Sequence, residues 1–314
     1  MASVELNTSN AMLTFSGMKD LRPRYAFVFI FLTVYLLILV LNLILILTIV
    51  LEKSLHDPMY LFLCNLCLNG LYGSTGFYPN LIYNLLAPEQ VISYIGCYTQ
   101  AFVIYTSFMC EYTTLVIMAY DRYVAICRPL EYHSIIVSQT VMKAILYSWT
   151  FPILVTIPSS ILASRLPLCR TQLDRLYCYN WAMVRLVCVA SPAVNVFYVY
   201  GIAVICVFAA HAVFVLVSYH RLIVACRTSH ESKKKFMRTC VPHLVSLVNF
   251  TVTLLFDTTF TRYAPEDVPA ALRYFFQVEV LLVPPLLNPL MYGLKLSEVR
   301  RRIFQRHKSR ISSL

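Results

Sequence analysis

The sequence predicts an all-α membrane protein, a seven-transmembrane helix bundle, and three observations carry that expectation. The 314-residue chain is 59% hydrophobic and only 13% charged, against about 25% charged residues in a soluble domain; its mean hydropathy is +0.68. Seven apolar stretches recur along it, each reaching the roughly 20 residues that a helix needs to cross a bilayer. The basic residues behind its net charge of +11 gather on one side of those stretches, as the positive-inside rule asks.

In order, the stretches are 26–51, 59–86, 95–126, 140–163, 191–219, 240–261 and 271–294. The first is the plainest: between Ala26 and Leu51, Asn42 is the one strongly polar side chain. The fifth and sixth are separated by a basic segment, Arg221 to Arg238. Residues 1–25 read as a polar extracellular tail, 26–294 as the bundle, and 295–314 as a basic cytoplasmic tail with a short amphipathic helix. The first stretch is too long for the apolar region of a cleaved signal peptide and is expected to stay as an anchor. No internal repeat or low-complexity segment interrupts the series.

Orientation follows from Lys and Arg. With the N-terminus outside, the inner face holds most of the 26 basic residues, among them Lys233-Lys234-Lys235, Arg238 and Arg300-Arg301-Arg302. The first helix taken alone argues the reverse, because Lys19, Arg22 and Arg24 precede it; the total outweighs it. The sequon at Asn7 fits an outer N-terminus as a glycosylation acceptor. The charge therefore marks a membrane face apposed to anionic lipid, a partner protein or both, and not a nucleic-acid groove.

The most specific motif is Met118-Ala119-Tyr120-Asp121-Arg122-Tyr123-Val124-Ala125-Ile126-Cys127, at the inner end of the third stretch. An Asp-Arg pair at that depth is costly unless it reaches the interface or has a role. The run resembles the MAYDRYVAIC signature of vertebrate olfactory receptors, which are class A G-protein-coupled receptors. Leu55-His56-Asp57-Pro58-Met59-Tyr60 is similar to that family's LHxPMY, and KFMRTCVPHL (Lys235 to Leu244) to its KAxxTCxSHL, with Pro242 where Ser is usual. Asn288-Pro289-Leu290-Met291-Tyr292 matches the class A NPxxY, and Asn42 fits the helix-one Asn although Leu41 replaces a Gly. Asn69-Gly70-Leu71-Tyr72-Gly73 is worded more like fish odorant receptors than mammalian ones.

The resemblance implies roles. Arg122, held at rest by Asp121 and followed by Tyr123, would engage a heterotrimeric G protein, of the olfactory stimulatory type, while Asn288, Pro289 and Tyr292 would form a conformational switch. Pro289 has a physical basis for this, since proline frees a backbone carbonyl and kinks its helix. The implied setting is the plasma membrane of olfactory neuron cilia. The chain also departs from the pattern. Where class A receptors usually carry a sodium-binding Asp in helix two, counting from Pro58 reaches Gly70, and Thr251 stands near the usual helix-six Trp. Glu111 matches an acid typical of olfactory receptors; an intramembrane acid is functional by default, and both a buried ion site and a protonated, hydrogen-bonded carboxyl stay open for it.

Class A ligands bind in the outer half of the bundle, which makes Phe102, Tyr105, Thr106, Phe108, Met109, Tyr198, Gly201, Phe256, Asp257, Gln277 and Leu281 the candidate odorant contacts. Of these, Tyr105, Asp257 and Gln277 supply polar groups within an aromatic wall, and Asp257 with Arg262 hints at a polar or charged water-borne ligand. Four of the 11 cysteines lie at the outer side, Cys97, Cys169, Cys178 and Cys188. Sequence alone allows three pairings; the family pattern implies Cys97–Cys178 and Cys169–Cys188.

Other classes fit less well. A transporter or channel with a seven-helix bundle, the alternative reading, calls for paired polar residues through several helices or for inverted repeats, and neither occurs. No HExxH or GxSxG motif points to an enzyme. A light-sensing opsin needs a helix-seven Lys, and none precedes Lys295. No cofactor or metal is expected.

Overall fold

The computed structural model describes residues 12–166, 168–187, 192–226, 240–241, 243–253, 255 and 270–295. Six long helices and a shorter described one run through them: α1 Arg24–Leu51, α2 Pro58–Leu86, α3 Tyr94–Cys127, α4 Ser138–Ser164, α5 Pro192–Cys226, α6 described over His243–Thr253, and α7 Ala270–Lys295. Arg24–Leu51, Tyr94–Cys127, Ser138–Ser164, Val194–Val224 and Tyr274–Met291 are long and apolar enough to cross a membrane. The expected boundaries of the six long helices hold to a few residues, with one correction, while the outer end of the sixth stretch lies outside the described residues. Helix α5 continues beyond residue 219 into the basic segment, as far as Cys226. The bilayer limits the apolar run and not the helix: Arg is a good helix former, and its long stem lets the charge reach the interface.

Helix α1 shows how lipid replaces water. Its buried residues Phe31, Ile38, Asn42, Leu45 and Ile49 form one stripe at helical spacing. Leu36, Leu37, Val40, Leu43 and Leu47 point outward and stay exposed. Helix α3 is the centre of the bundle, buried along most of its length.

Lipid tails are as apolar as leucine, so helices in a membrane associate through close packing and hydrogen bonds. Both devices join α2 to α3. A Cβ on Gly73 would run into the Ser107 side chain, and one on Gly76 would lie 2.5 Å from Val103 Cγ1, so glycine allows this approach without either neighbour shifting. Asn65 donates to Thr114 Oγ1 at 3.0 Å and to Ser148 Oγ at 3.1 Å, and accepts from Trp149 Nε1 at 2.7 Å, tying α2, α3 and α4 together.

The second departure from expectation is a small sheet. Strands β1 (Met12–Phe15), β2 (Val91–Ser93) and β3 (Gln172–Leu173) pair in the order β2-β1-β3, antiparallel between β1 and β2 and parallel between β1 and β3. The N-terminal tail thus folds onto the bundle, at least from Met12 onward. Its alternating Leu13 and Phe15, followed by Met18, are fully buried. Asn7, the segments holding Lys233-Lys234-Lys235 and Arg300-Arg301-Arg302, and the expected C-terminal helix lie outside the described residues.

Candidate functional site

The loop between α4 and α5 turns inward beneath the sheet. A disulfide joins Cys178 to Cys97 in the first turn of α3, with a Cα–Cα separation of 5.2 Å. Two glutamines hold the backbone around it: Gln100 accepts from the Cys178 N–H at 3.0 Å, and Gln277 on α7 accepts from the Leu176 N–H at 3.2 Å. The loop then forms a short helix, Asn180–Val184, all of whose residues are buried. Cys169 is also disulfide-bonded; Cys188, its expected partner, lies outside the described residues.

Below that short helix is a cavity of about 590 Å³, within the range of roughly 300–1,000 Å³ for small-molecule sites. Helix α3 turns Tyr105, Phe108, Met109 and Tyr112 toward it, four residues at the spacing of one helical face. Helix α5 contributes a stripe that includes Phe197, Gly201, Val204 and Phe208, while α4 adds Val155 and Ser159, and α6 adds Thr251. Asn180 and Trp181 close it from the loop side. Ring contacts stiffen the wall, with Tyr112–Phe208 centroids 5.4 Å apart and Phe108–Phe250 6.2 Å apart.

Of the sequence candidates, Tyr105, Phe108, Met109 and Gly201 meet at this cavity. Phe102, Thr106, Tyr198, Gln277 and Leu281 do not line it. The cavity sits toward α4 and α5, whereas Gln277 and Leu281 are buried on α7, and Gln277 is engaged with the loop backbone. Tyr198 packs its ring on Trp181 from outside, at 4.9 Å. Phe256 and Asp257 lie outside the described residues, as does Arg262.

At the far end of α3, Asp121 is buried and salt-bridged to Arg122. Its other carboxylate oxygen accepts from the Tyr132 hydroxyl at 2.9 Å. Tyr132 opens a single helical turn, Tyr132–Ile135, just after α3. Burial, and then the charge of Asp121, push its phenol above the usual range, so it keeps the proton that it donates. Tyr123 is half-buried beside this pair. Deeper in the bundle, His243 on α6 donates from Nε2 to the Leu115 carbonyl at 2.9 Å. Its Nδ1 is left to accept from Tyr219 on α5. One imidazole thereby links α3, α5 and α6.

Between the two ends, the carboxyl of Glu111 accepts from Asn288 Nδ2 at 2.8 Å and from Asn69 Nδ2 at 3.3 Å. Asn69 also bonds the Ser107 carbonyl at 3.1 Å. The Oδ1 atoms of Asn69 and Asn288 are buried with no hydrogen-bond partner. Pro289 is buried next to Asn288; the Tyr292 side chain lies outside the described residues.

Sequence reasoning missed Tyr112, Ser159, Asn180, Trp181, Tyr200 and Phe208 in the cavity, and Tyr132, Tyr219 and His243 at the other end. The α3 and α5 members carried a usable signal, since Tyr112 follows Phe108, and Phe208 follows Val204, by four residues. The loop residues carried none, because bonds distant in sequence, among them the disulfide, the two glutamines and the Asn180 bond to Ser159, bring Asn180 inward.

The olfactory receptor family model matches residues 31–309. Olfactory receptor 51I2 of Homo sapiens is 32% identical over 259 residues, covering 81% of this chain and 82% of the relative. Olfactory receptor 52D1 of Homo sapiens is 32% identical over 262 residues, covering 82% and 81%. Olfactory receptor 9S13 of Mus musculus is 34% identical over 270 residues, covering 82% and 78%. These are mammalian proteins, and they give no support to the particular likeness to fish receptors drawn from Asn69 to Gly73.

Proposed function

The chain belongs to the olfactory receptor family, and from that membership we propose that it binds a small odorant in the cavity between α3, α4, α5 and α6 and activates a heterotrimeric G protein through Asp121, Arg122 and Tyr123. The observation that carries this reading is the division of α3. One end of the helix lines an apolar, aromatic cavity, the other holds a buried Asp-Arg pair, and Glu111 with Asn288 links it to α7 in between. Such a helix can couple a ligand at one end to a partner at the other if each favours one of two arrangements of its neighbours. Pro289 supplies a deformable joint on α7 for this purpose, with Asn288 and Tyr292 as the other parts of the switch.

The protein is a multi-pass membrane protein. We take its N-terminus as outside, which puts the cavity on the extracellular half and the basic segments against the cytoplasmic leaflet. Asn7 is then a glycosylation acceptor, and the second outer bridge is Cys169–Cys188. Family membership supports placing it in the plasma membrane of olfactory cilia, with a stimulatory olfactory G protein as its partner. A cAMP or calcium readout in transfected cells, run across an odorant panel, tests the reading. It is supported by a dose-dependent response lost on Arg122→Ala with surface expression retained. Silence to every odorant at normal surface expression counts against it.

A further inference from the structure

Three of the side chains that line the cavity are also exposed at the outside of the bundle. Ile205 is 46% exposed and Leu255 62% exposed, and Ala209 is exposed as well. All three are apolar. Two belong to α5, and the third lies one helical turn beyond Thr251 of α6. A residue that borders a cavity and is reachable from outside marks a place where the wall is open. The surface around it is made of further exposed apolar residues, Ile202 and Val213 on α5 and Val248 and Val252 on α6, so what lies outside is hydrocarbon and not water.

The helical phase of α5 explains why the opening falls there. Gly201, Ile205, Ala209 and Ala212 follow one another at helical spacing along the cavity, and a glycine and two alanines put little bulk into the seam with α6. The neighbouring faces of α5 are closed. The Tyr200 hydroxyl donates to the Val155 carbonyl of α4 at 2.6 Å, Phe208 lies 6.3 Å from Phe151 of α4 between ring centroids, and it also packs on Tyr112 of α3. Toward the inner side the seam closes as well, where Val215 and Leu247 are buried and Tyr219 bonds His243. On the loop side, Asn180 and Trp181 cover the cavity from within a short helix whose residues are all buried.

We propose that the cavity opens to the hydrocarbon core of the bilayer through a port between α5 and α6, bordered by Ile205, Ala209 and Leu255, and that apolar ligands enter it from the membrane. The port stands on the packing alone; that odorants use it rests on the reading of the cavity as the odorant site. An apolar molecule leaves water for lipid before it meets the receptor, and the port gives it a path on which it never returns to water. Between visits the end of a lipid acyl chain fills the space, because an apolar cavity holds water poorly.

The test uses the purified full-length receptor in phosphatidylcholine nanodiscs doped with a phosphatidylcholine that carries a diazirine at the end of one acyl chain. Such a lipid stays in the membrane, so its light-induced adducts report contact from the bilayer alone. Adducts are expected on Leu36 and Leu43 of α1, which face lipid, and also on Phe108 and Tyr112 of α3, which are buried and line the cavity. Ala209→Trp and Leu255→Trp fill the seam from its two sides, and each should remove the adducts on Phe108 and Tyr112 while those on α1 remain. Val196→Trp, on an exposed part of α5 away from the cavity, should leave all of them unchanged. Thermal unfolding identifies which variants are folded; if neither seam variant is, the parent receptor decides. The proposal is overturned by a parent with no adduct on Phe108 or Tyr112, or by adducts there that survive in every folded seam variant. Interior adducts with no odorant response in cells would count against the receptor reading alone and leave the port standing.

Discussion

Asn42 on α1 donates its side-chain amide to the carbonyl oxygen of Pro285 on α7, at 2.9 Å. That oxygen lies four residues before Pro289, which has no N–H to offer it. The same amide also bonds the Ile38 carbonyl at 2.8 Å, so Asn42 is itself fixed. Gly70 of α2 packs beside the same place, where a Cβ would make ordinary contact with Pro285 Cβ at 3.5 Å. The proline joint of α7 is thus held by a donor from another helix.

The first prediction follows from that bond. Asn42→Leu leaves a buried carbonyl unpaired and should cost about 1–3 kcal/mol of stability. Pro289→Ala restores the helix N–H, so in the Asn42→Leu background it should recover part of the loss. Thermal unfolding of the four proteins forms a double-mutant cycle; strictly additive effects would remove the proposed link between Asn42 and Pro289.

A second prediction concerns Glu111. With Gly70 in place of the usual acid, one carboxyl and two buried amide oxygens are all that this cluster is seen to present to an ion. Agonist potency should therefore be insensitive to replacing sodium by a bulky organic cation. Glu111→Gln keeps one acceptor oxygen and can donate its amide to the other asparagine once that side chain turns its buried Oδ1 toward it, so it should express normally, whereas Glu111→Leu strands the Asn288 amide, leaves Asn69 only the Ser107 carbonyl, and should cost about 2–4 kcal/mol. A large sodium-dependent shift that disappears in Glu111→Gln would contradict the first part.

The helices were legible because their signal is local: length and apolarity place each span, and lipid imposes helix on any apolar segment that crosses it. The Asp121-Arg122 pair was legible because a charged pair beside an apolar run is costly. Glu279 shows the limit. It is an acid within α7, bonded by Asn249 of α6 at 3.1 Å, yet it belongs to none of the recognised motifs and drew no attention. The sheet escaped because its strands are two to four residues long and pair across most of the chain's first half. Asn180 escaped for the same kind of reason: nothing local says that a loop residue faces inward. Gln277, a candidate ligand contact by sequence, bonds the Leu176 N–H, because a polar residue near the head of α7 serves a loop as readily as a ligand.

The third prediction places Tyr132 in the resting state. Its hydroxyl supports the carboxylate that holds Arg122. Tyr132→Phe removes one hydrogen bond, worth about 0.5–1.5 kcal/mol, and should raise basal signalling. Arg122→Ala should abolish signalling at unchanged surface expression. Basal cAMP in transfected cells reads both; full coupling in Arg122→Ala would end the assignment of Arg122.

The loop bridges supply a fourth. Mass spectrometry of non-reduced peptides should find Cys97 linked to Cys178 and Cys169 linked to Cys188. Loss of either bridge typically costs about 2–4 kcal/mol, and the first should also lower odorant potency, because Cys178 anchors the segment that carries Asn180. Free thiols at all four positions would refute the pairing.

The last prediction separates residues that contact ligand from residues that build the site. Phe108 and Tyr105 line the cavity from α3. Replacing either by Ala deletes an aromatic wall, and the loss of apolar contact, about 1.5–3 kcal/mol for a fully buried side chain, corresponds to roughly a tenfold or greater fall in potency. Gln277 is as deeply buried but bonds the Leu176 N–H and does not line the cavity. Gln277→Ala removes the partner of a buried N–H, so it should cost about 1–3 kcal/mol of stability and appear as reduced surface expression and a lower unfolding temperature. Once responses are normalised to surface receptor, its potency should stay near that of the parent. Dose–response curves for one identified agonist, read beside surface labelling, distinguish the two effects. A potency loss in Gln277→Ala that matches Phe108→Ala at equal expression would move the ligand toward α7; unchanged potency in Phe108→Ala and Tyr105→Ala would move it out of this cavity altogether.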